Sequence, residues 1–128
     1  MSSVEKKVRD PARLWKLQEL HILDSAPEAE FDDAVKIASA VCKTPIALVS
    51  LVDAHRQWFK AKIGLDLNET PLEQAVCAHA LDQDDILEIG DLTDDPRTRA
   101  NGLVTADDGI RFYAGAPLRT DDGYVLGT

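Results

Sequence analysis

The residues best suited to bind a ligand or take part in chemistry lie in the last third of the chain. A predicted strand there carries Arg111, Phe112 and Tyr113 in succession, which places a cation beside two aromatic rings. These groups bind and orient small molecules in protein pockets. In an extended strand Arg111 and Tyr113 project from one face and Phe112 from the other. A structural interpretation stays equally open, in which Phe112 is core and Arg111 pairs with Asp91 or Asp95.

A cysteine and a histidine lie close together in the middle of the chain. Cys77 and His79 would be about 200° apart around an α-helix, so they do not share a face. A Cys–His nucleophile pair needs its two side chains within hydrogen-bond distance, and this spacing does not provide it. His79 aligns with an apolar face and is expected to be half-buried, whereas Cys77 either faces a pocket or packs structurally. Cys42 falls on a predicted core stripe, where cysteine packs as a small hydrophobe.

The sequence lacks the familiar patterns of metal and catalytic sites. A zinc site needs three or four ligands, and the two cysteines and three histidines match no common spacing. The carboxylates Asp91, Asp94 and Asp95 lack the spacing and central glycine of a calcium loop. There is no phosphate-binding glycine loop and no nucleophile elbow. We therefore predict a non-enzymatic domain with no metal and no catalytic residues.

Composition limits the class of protein. The chain has 128 residues and 45% hydrophobic content, enough for one domain without disulfides. It carries 14 basic against 23 acidic residues, a net charge of −9 that repels phosphates, so neither nucleic acid nor an anionic membrane is expected as a partner. Neither a membrane-spanning run of about 20 apolar residues nor a signal peptide occurs. We predict a cytoplasmic location.

Hydrophobic periodicity predicts two helices at the start of the domain. The first begins with Asp10 as the cap and Pro11 at the first position. Its apolar stripe contains Leu14, Trp15, Leu17 and Leu20. The second helix is expected to begin at a capping box formed by Ser25 and Glu28. Its predicted core face consists of Phe31, Ala34, Val35, Ala38, Val41 and Cys42.

The remaining pattern predicts a sheet. Residues 46–52 and 56–63 form a hairpin, a third helix starts at Thr70 and runs to about 80, and 86–89 is a short strand. A polar loop at 91–109, with a helical turn near 97–103, leads to a strand at 110–118 and a last strand from 123 or 124. The expected fold is α+β, an antiparallel sheet of five to six strands with helices packed on one face. Residues 1–9 are expected to be a flexible segment outside the domain at 10–128.

Several blocks of the sequence resemble a GAF domain, in particular the module N-terminal to bacterial histidine kinases and diguanylate cyclases. The blocks are 13–27, 31–32, 44–53, 56–60, VCAHA at 76–80 and IRFYAGAPL at 110–118. The resemblance implies a sensory domain with a ligand pocket on one face of the sheet and a helical bundle, commonly used for homodimerisation, on the other. It also implies that the family's last strand and C-terminal helix are truncated here. An output domain is then expected in the same polypeptide.

The resemblance narrows the ligand classes without naming a cofactor. Bilin-binding relatives attach the chromophore to a cysteine followed directly by histidine, and here Ala78 intervenes. The signature of cyclic-nucleotide-binding relatives is missing. We expect a pocket lined by seven residues, in which Arg111 neutralises an anionic group, Tyr113 stacks or donates, and Asp91 orients Arg111. The pocket residues are Phe59, Cys77, His79, Asp91, Arg97, Arg111 and Tyr113.

Two further functions stay open at this level. The domain could be a dimerisation module with a vestigial pocket, using a face with Leu14, Leu17 and Leu20. It could also be a redox sensor or enzyme based on Cys77, although methionine sulfoxide reductases of this fold use a set of pocket cysteines. With Cys42 on a core stripe, Cys77 would lack a resolving partner.

Overall fold

The computed structural model describes residues 3–107 and 109–128. Over these residues the α-helices are α1 (Ser3–Val8), α2 (Pro11–Glu19), α3 (Ala29–Cys42) and α4 (Gly102–Thr105). The strands are β1 (Ala47–Val52), β2 (Arg56–Ile63), β3 (Glu69–Pro71), β4 (Leu87–Ile89), β5 (Tyr113–Gly115), β6 (Leu118–Arg119) and β7 (Val125–Gly127). Two 3-10 helices, Leu72–Gln74 and Val76–Asp82, follow β3, and the second is called the central 3-10 helix below.

An antiparallel sheet forms the centre of the domain. Its strands lie in the order β3-β2-β1-β7-β6, and β4 and β5 form a separate two-stranded sheet. The expected hairpin of β1 and β2 is confirmed, with Ala47 opposite Ile63 and Val52 opposite Gln57. Helices α2 and α3 contact this sheet. The predicted α+β fold, an antiparallel sheet with packed helices, is therefore confirmed.

The strand expected at 110–118 is broken. β5 begins only at Tyr113 and pairs with β4, whereas β6 pairs with β7 in the larger sheet. Ala116 and Pro117 lie between them, and proline has no N–H to donate to a continuous ladder. One extended segment thus contributes to both sheets.

Helix α2 begins as predicted but buries a different set of residues. The carboxylate of Asp10 accepts a hydrogen bond from the main-chain N–H of Ala12 at 3.0 Å, and Pro11 is the first helical residue. Leu17 is fully buried, in a cluster with Leu51, Trp58 and Leu126. Trp15 and Leu20, expected on the same stripe, are 60% and 58% exposed.

Helix α3 differs from prediction at its start and on its outer side. It begins at Ala29 after Glu28, without a side-chain cap, and the hydroxyl of Ser25 instead donates to the carbonyl of Ile22. The prediction that Cys42 lies in the core is wrong, because this cysteine is exposed. Only one residue of the predicted face, Val35, is fully buried, since the helix lies against β1 and β2 along a narrow strip.

The α-helix expected from Thr70 does not form. Thr70 lies in β3, paired with Gln57 of β2, and the Gln57 side-chain amide donates to its hydroxyl at 3.0 Å. Pairing with a buried strand therefore outweighs the local capping pattern, and the chain continues as 3-10 turns. Within the segment expected to be flexible, Ser3–Val8 forms α1 and Val8 is buried.

Within the described ranges 3–107 and 109–128, every helix is too short or too polar to span a lipid bilayer.

Candidate functional site

A group of buried and half-buried polar side chains lies where β1, β2, β5 and the end of β7 meet the central 3-10 helix. We call Ser50, Gln57, Cys77, Tyr113 and Thr128 the polar cluster. The thiol of Cys77 donates to Oε1 of Gln57. The hydroxyl of Thr128 lies 3.3 Å from that of Ser50 and 3.0 Å from that of Tyr113. Polar groups inside a core are costly unless they are paired, and here each member has a partner.

Burial keeps the acidic members of the cluster neutral. It raises the pKa of the Cys77 thiol to about 11, and the nearby hydroxyls of Ser50 and Thr128 only partly oppose this shift. Burial likewise raises the pKa of the Tyr113 phenol. At pH 7 both groups keep their protons, so they act as hydrogen-bond donors and not as nucleophiles.

His79 lies on the same 3-10 helix, close to the ion pair of Arg97 and Asp95. Burial, followed by the positive charge of Arg97, lowers the pKa of His79, and a hydrogen bond with the main chain of Arg97 partly offsets this. Arg97 pairs with Asp95 at 2.7 Å, which holds the pKa of Asp95 at about 2. The imidazole is thus neutral at pH 7. Its buried Nδ1 has no hydrogen-bond partner within the described part of the chain.

Arg111 and Asp91 lie on adjacent segments without forming the expected hydrogen bond. Arg111 donates to the carbonyls of Val104 at 2.5 Å and Ala106 at 3.3 Å, so its side chain caps the C-terminal end of α4. Asp91 accepts from the main-chain N–H and hydroxyl of Thr93. These bonds, followed by the charge of Arg111, lower the pKa of Asp91.

Phe59 lies elsewhere. It is buried in β2 and lines a groove of about 580 Å³, together with the neighbouring Trp58 and Lys60.

The seven expected pocket residues therefore fall into four places. Cys77 and Tyr113 belong to the polar cluster, His79 meets Arg97, Asp91 and Arg111 follow β4 and precede β5, and Phe59 faces the groove.

Sequence reasoning missed three members of the polar cluster: Ser50, Gln57 and Thr128. One signal was available, because the alternation of β2 placed Gln57 on an otherwise apolar face. No comparable pattern marked Ser50, which sits in an apolar strand, or Thr128.

Arg13 was also missed. It is a charged residue of α2, yet it is only 3% exposed. Its guanidinium donates to the carbonyls of Val8 at 2.8 Å and Val52 at 2.6 Å, and also to those of Lys7 and Val125. Burial lowers its pKa, while the charge of Asp53 opposes the shift.

Two solved structures share the fold. A type II free methionine-R-sulfoxide reductase from Thermoplasma acidophilum aligns with a TM-score of 0.59 and 18% identity, over 77% of this chain and 68% of that one. The GAF domain of an Acinetobacter phosphoenolpyruvate-protein phosphotransferase aligns with a TM-score of 0.58 and 16% identity, over 99% of this chain and 75% of that one. Identities this low establish the fold alone.

A curated relative is closer in sequence. Cyclic di-GMP phosphodiesterase PA2567 of Pseudomonas aeruginosa strain PAO1 is 42% identical over 112 residues, 88% of this chain. The chain spans only about a fifth of that protein, since the match covers 19% of it. The family model for the GAF domain matches residues 26–128. This chain therefore belongs to the GAF domain family.

Proposed function

We propose that this chain is a non-enzymatic sensory module of a bacterial cytoplasmic signalling protein, which binds a small polar ligand and regulates an output domain in the same polypeptide. The 42% identity to part of a cyclic di-GMP phosphodiesterase favours an output that makes or degrades cyclic di-GMP over a histidine kinase. This refines the resemblance to kinase and cyclase modules. The output can be tested by assaying cyclic di-GMP turnover in the full-length polypeptide that carries this chain.

The unpartnered Nδ1 of His79 is the observation that carries the ligand proposal. A buried acceptor without a donor costs free energy, and a ligand N–H or O–H would satisfy it. Cys77 of the polar cluster lies on the same 3-10 helix, and Tyr113 contributes a neutral hydroxyl to that cluster. Arg97 adjoins His79 and is therefore placed to contact an anionic group of such a ligand, and Arg111 lies on the same connection between β4 and β5. Phe59 is the weakest candidate, because it lines a different groove.

The test is native mass spectrometry of freshly purified protein, followed by denaturation of the same sample. We expect an adduct of small-molecule mass that is lost on denaturation. His79→Leu should reduce the adduct strongly, and His55→Leu, which changes an exposed histidine, should not. An adduct retained by His79→Leu would remove this histidine from the site. A consistently empty protein would favour the dimerisation module with a vestigial pocket.

A Cys77 redox function is less well supported. The thiol is 2% exposed and its raised pKa keeps it protonated, whereas reactive cysteines are accessible thiolates. The fold shared with a methionine sulfoxide reductase does not by itself carry that activity to this chain.

A further inference from the structure

The connection between α2 and α3, residues 20–28, has a strained backbone at two positions. His21 and Asp24 have φ angles of 52° and 60°, in the left-handed region that residues other than glycine rarely adopt. Between them, Ile22 and Leu23 pack against the apolar cluster that lies between α2 and the sheet. Because the strain at each flanking residue costs free energy, other contacts must hold the connection in this conformation.

Arg56 of β2 holds the first part of the connection. Its guanidinium donates to both carboxylate oxygens of Asp24, at 3.0 Å and 2.8 Å. Paired bonds of this kind fix the orientation of the two groups as well as their distance. Arg56 also donates to Asp53 and Glu69. These two further partners keep the guanidinium beside β2 independently of Asp24.

Lys60 of β2 holds the second part. The pairing of β1 with β2 shifts between Val49 and Ser50, opposite Lys60, so this lysine is the extra residue of a β-bulge. A bulge changes the direction in which a side chain points. Here the Lys60 side chain is directed at the α2–α3 connection and is completely buried.

The Lys60 ammonium is fully satisfied by the connection. It has three N–H donors, and it lies 2.6 Å from each of three acceptors: the Ser25 hydroxyl, the Ala26 carbonyl and the Glu28 carboxylate. The ring of Phe31, in the first turn of α3, has its centroid 5.6 Å from the same ammonium. One buried cation therefore determines how the chain enters α3.

These contacts can be exchanged for contacts with water. The side chains of Glu28 and Asp24 are 55% and 66% exposed, so both carboxylates are readily hydrated. The groove of about 580 Å³ is lined by Asp24 and Ser25 from the connection and by Lys60 from β2. Water therefore reaches the Lys60 ammonium as soon as the connection lifts from the strand.

We propose that the α2–α3 connection is a latch, which is closed while Arg56 and Lys60 hold it and which opens as a unit while the sheet stays folded. Opening lets His21 and Asp24 leave the left-handed region and separates the first turn of α3 from β2. The latch thereby regulates how firmly α3 is held against the sheet. It is a property of the domain itself and does not depend on a ligand at His79.

Hydrogen exchange of individual amides, followed by NMR at increasing urea concentration, tests the latch. The amide of Ser25 donates to the carbonyl of Ile22. Those of Phe31 and Asp32 donate to the carbonyl of Glu28. Exchange through local opening depends little on urea, whereas exchange through global unfolding accelerates with it. We expect the local behaviour for these three amides and the global behaviour for β1 and β2. One common rate and urea dependence would overturn the proposal.

Two lysines of β2 provide matched variants. Lys60→Met keeps a long side chain but removes the ammonium, so exchange of the three amides should become more than about tenfold faster. Lys62→Met is the control, because that ammonium donates to Leu67 and Asn68 in the loop between β2 and β3, at 3.0 Å each. It should leave the three amides unchanged. Equal exchange in Lys60→Met and the wild type would show that this lysine does not hold the connection, and would contradict the proposal.

A backbone variant tests the latch in the opposite direction and stays informative if Lys60→Met does not fold. His21→Gly relieves the left-handed strain without removing a contact of Arg56 or Lys60, so the three amides should exchange about threefold more slowly. Lys43 has a φ of 54° at the C-terminal end of α3, outside the connection. Lys43→Gly should therefore leave the three amides as they are. No slowing in His21→Gly, or equal slowing in both variants, would contradict the proposal.

Discussion

The two cysteines of this domain have opposite surroundings at the scale of single residues. Cys42 ends α3 and is exposed, whereas Cys77 is buried beside Gln57 with its pKa raised to about 11. Because thiol reagents attack accessible thiolates, we expect rapid alkylation of Cys42 and protection of Cys77 in the folded protein. Mass-spectrometric mapping after a short pulse of iodoacetamide would measure this. Cys77 should react once urea is added, and its modification at the rate of Cys42 without urea would contradict its burial.

His79 should make stability depend on pH. Its folded pKa lies below the ordinary value of 6.5 because burial disfavours the imidazolium. The unfolded chain therefore binds this proton more readily, so the stability contribution is present above pH 6.5 and is lost as pH falls through the folded pKa. We expect the urea midpoint to fall between pH 7 and pH 5, and to fall less in His79→Gln.

Asp95 gives a separate window for comparison. Its pKa is held at about 2 by Arg97, below the ordinary 3.8, so its contribution is lost only as pH falls below about 4. Asp95→Asn removes a negative charge that favours the His79 imidazolium, so the slope between pH 7 and pH 5 should be no shallower than in the wild type. An equal slope in wild type and His79→Gln would remove His79 as its source.

At the scale of elements, Arg13 joins parts of the chain that are distant in sequence. From α2 it donates to main-chain carbonyls in α1, at the end of β1 and in β7. Buried carbonyls that lose their donor are costly, so Arg13→Ala should destabilise the domain by about 3 kcal/mol. Urea unfolding would measure the change. The stability of Arg13→Lys should lie between those of the wild type and Arg13→Ala, because an ammonium cannot reproduce the planar fork of the guanidinium.

Arg119 offers the matched control for Arg13. It also donates to two main-chain carbonyls, those of Gln83 and Asp84, but from an exposed position. Water can replace those bonds, so Arg119→Ala should cost less than about 0.5 kcal/mol. Equal effects of the two substitutions would mean that burial does not determine the role of Arg13.

The elements that could be predicted are those whose local pattern agrees with their tertiary environment. The hairpin of β1 and β2 follows from an apolar run and an alternating run separated by a turn, and the cap at Asp10 acts locally. The segment from Thr70 carries an equally clear helix start, yet pairing with β2 overrides it. Periodicity also identified the apolar face of α3 but not which part of it the sheet covers.

The candidate site was less predictable for a related reason. Cys77, His79 and Tyr113 could be singled out because their chemistry is visible in the sequence. Which of them share a face depends on the central segment being a 3-10 helix. The sequence pattern predicts an α-helix there, so it does not give their arrangement. Ser50 and Thr128 meet across β1 and β7, a contact between residues 78 positions apart, which no local pattern encodes.

At the scale of the whole molecule, the core is divided by the sheet. One apolar cluster contains Leu17, Leu51 and Trp58, between α2 and the sheet. Another contains Val8, Val52 and Cys77, where α1 and the central 3-10 helix pack together. The polar cluster is built against this second core. A conformational change at the candidate site would therefore alter the packing of α1, which contacts the central 3-10 helix.

The net charge of −9 opposes this compact arrangement. Carboxylates outnumber basic groups by 23 to 14, so folding brings like charges together, while most of the observed ion pairs have exposed partners that are worth little individually. Added salt screens both the repulsion between like charges and the attraction within ion pairs. Because carboxylates are in excess, the loss of repulsion is the larger effect. We therefore expect the urea midpoint at pH 7 to rise as sodium chloride increases from about 10 mM to about 1 M, over which the Debye length falls from about 30 Å to about 3 Å.

Sodium sulfate would be a poor choice for this measurement, because sulfate also strengthens apolar burial through its exclusion from the protein surface.

A variant with fewer carboxylates separates the repulsion between like charges from the attraction within ion pairs. Asp66 and Asp121 are exposed, and their substitution by asparagine reduces the net negative charge by two while leaving the core intact. The double variant should gain less from sodium chloride than the wild type. A urea midpoint that falls with salt would instead mean that the ion pairs, among them those of Arg56 with Asp24 and Glu69, outweigh the repulsion.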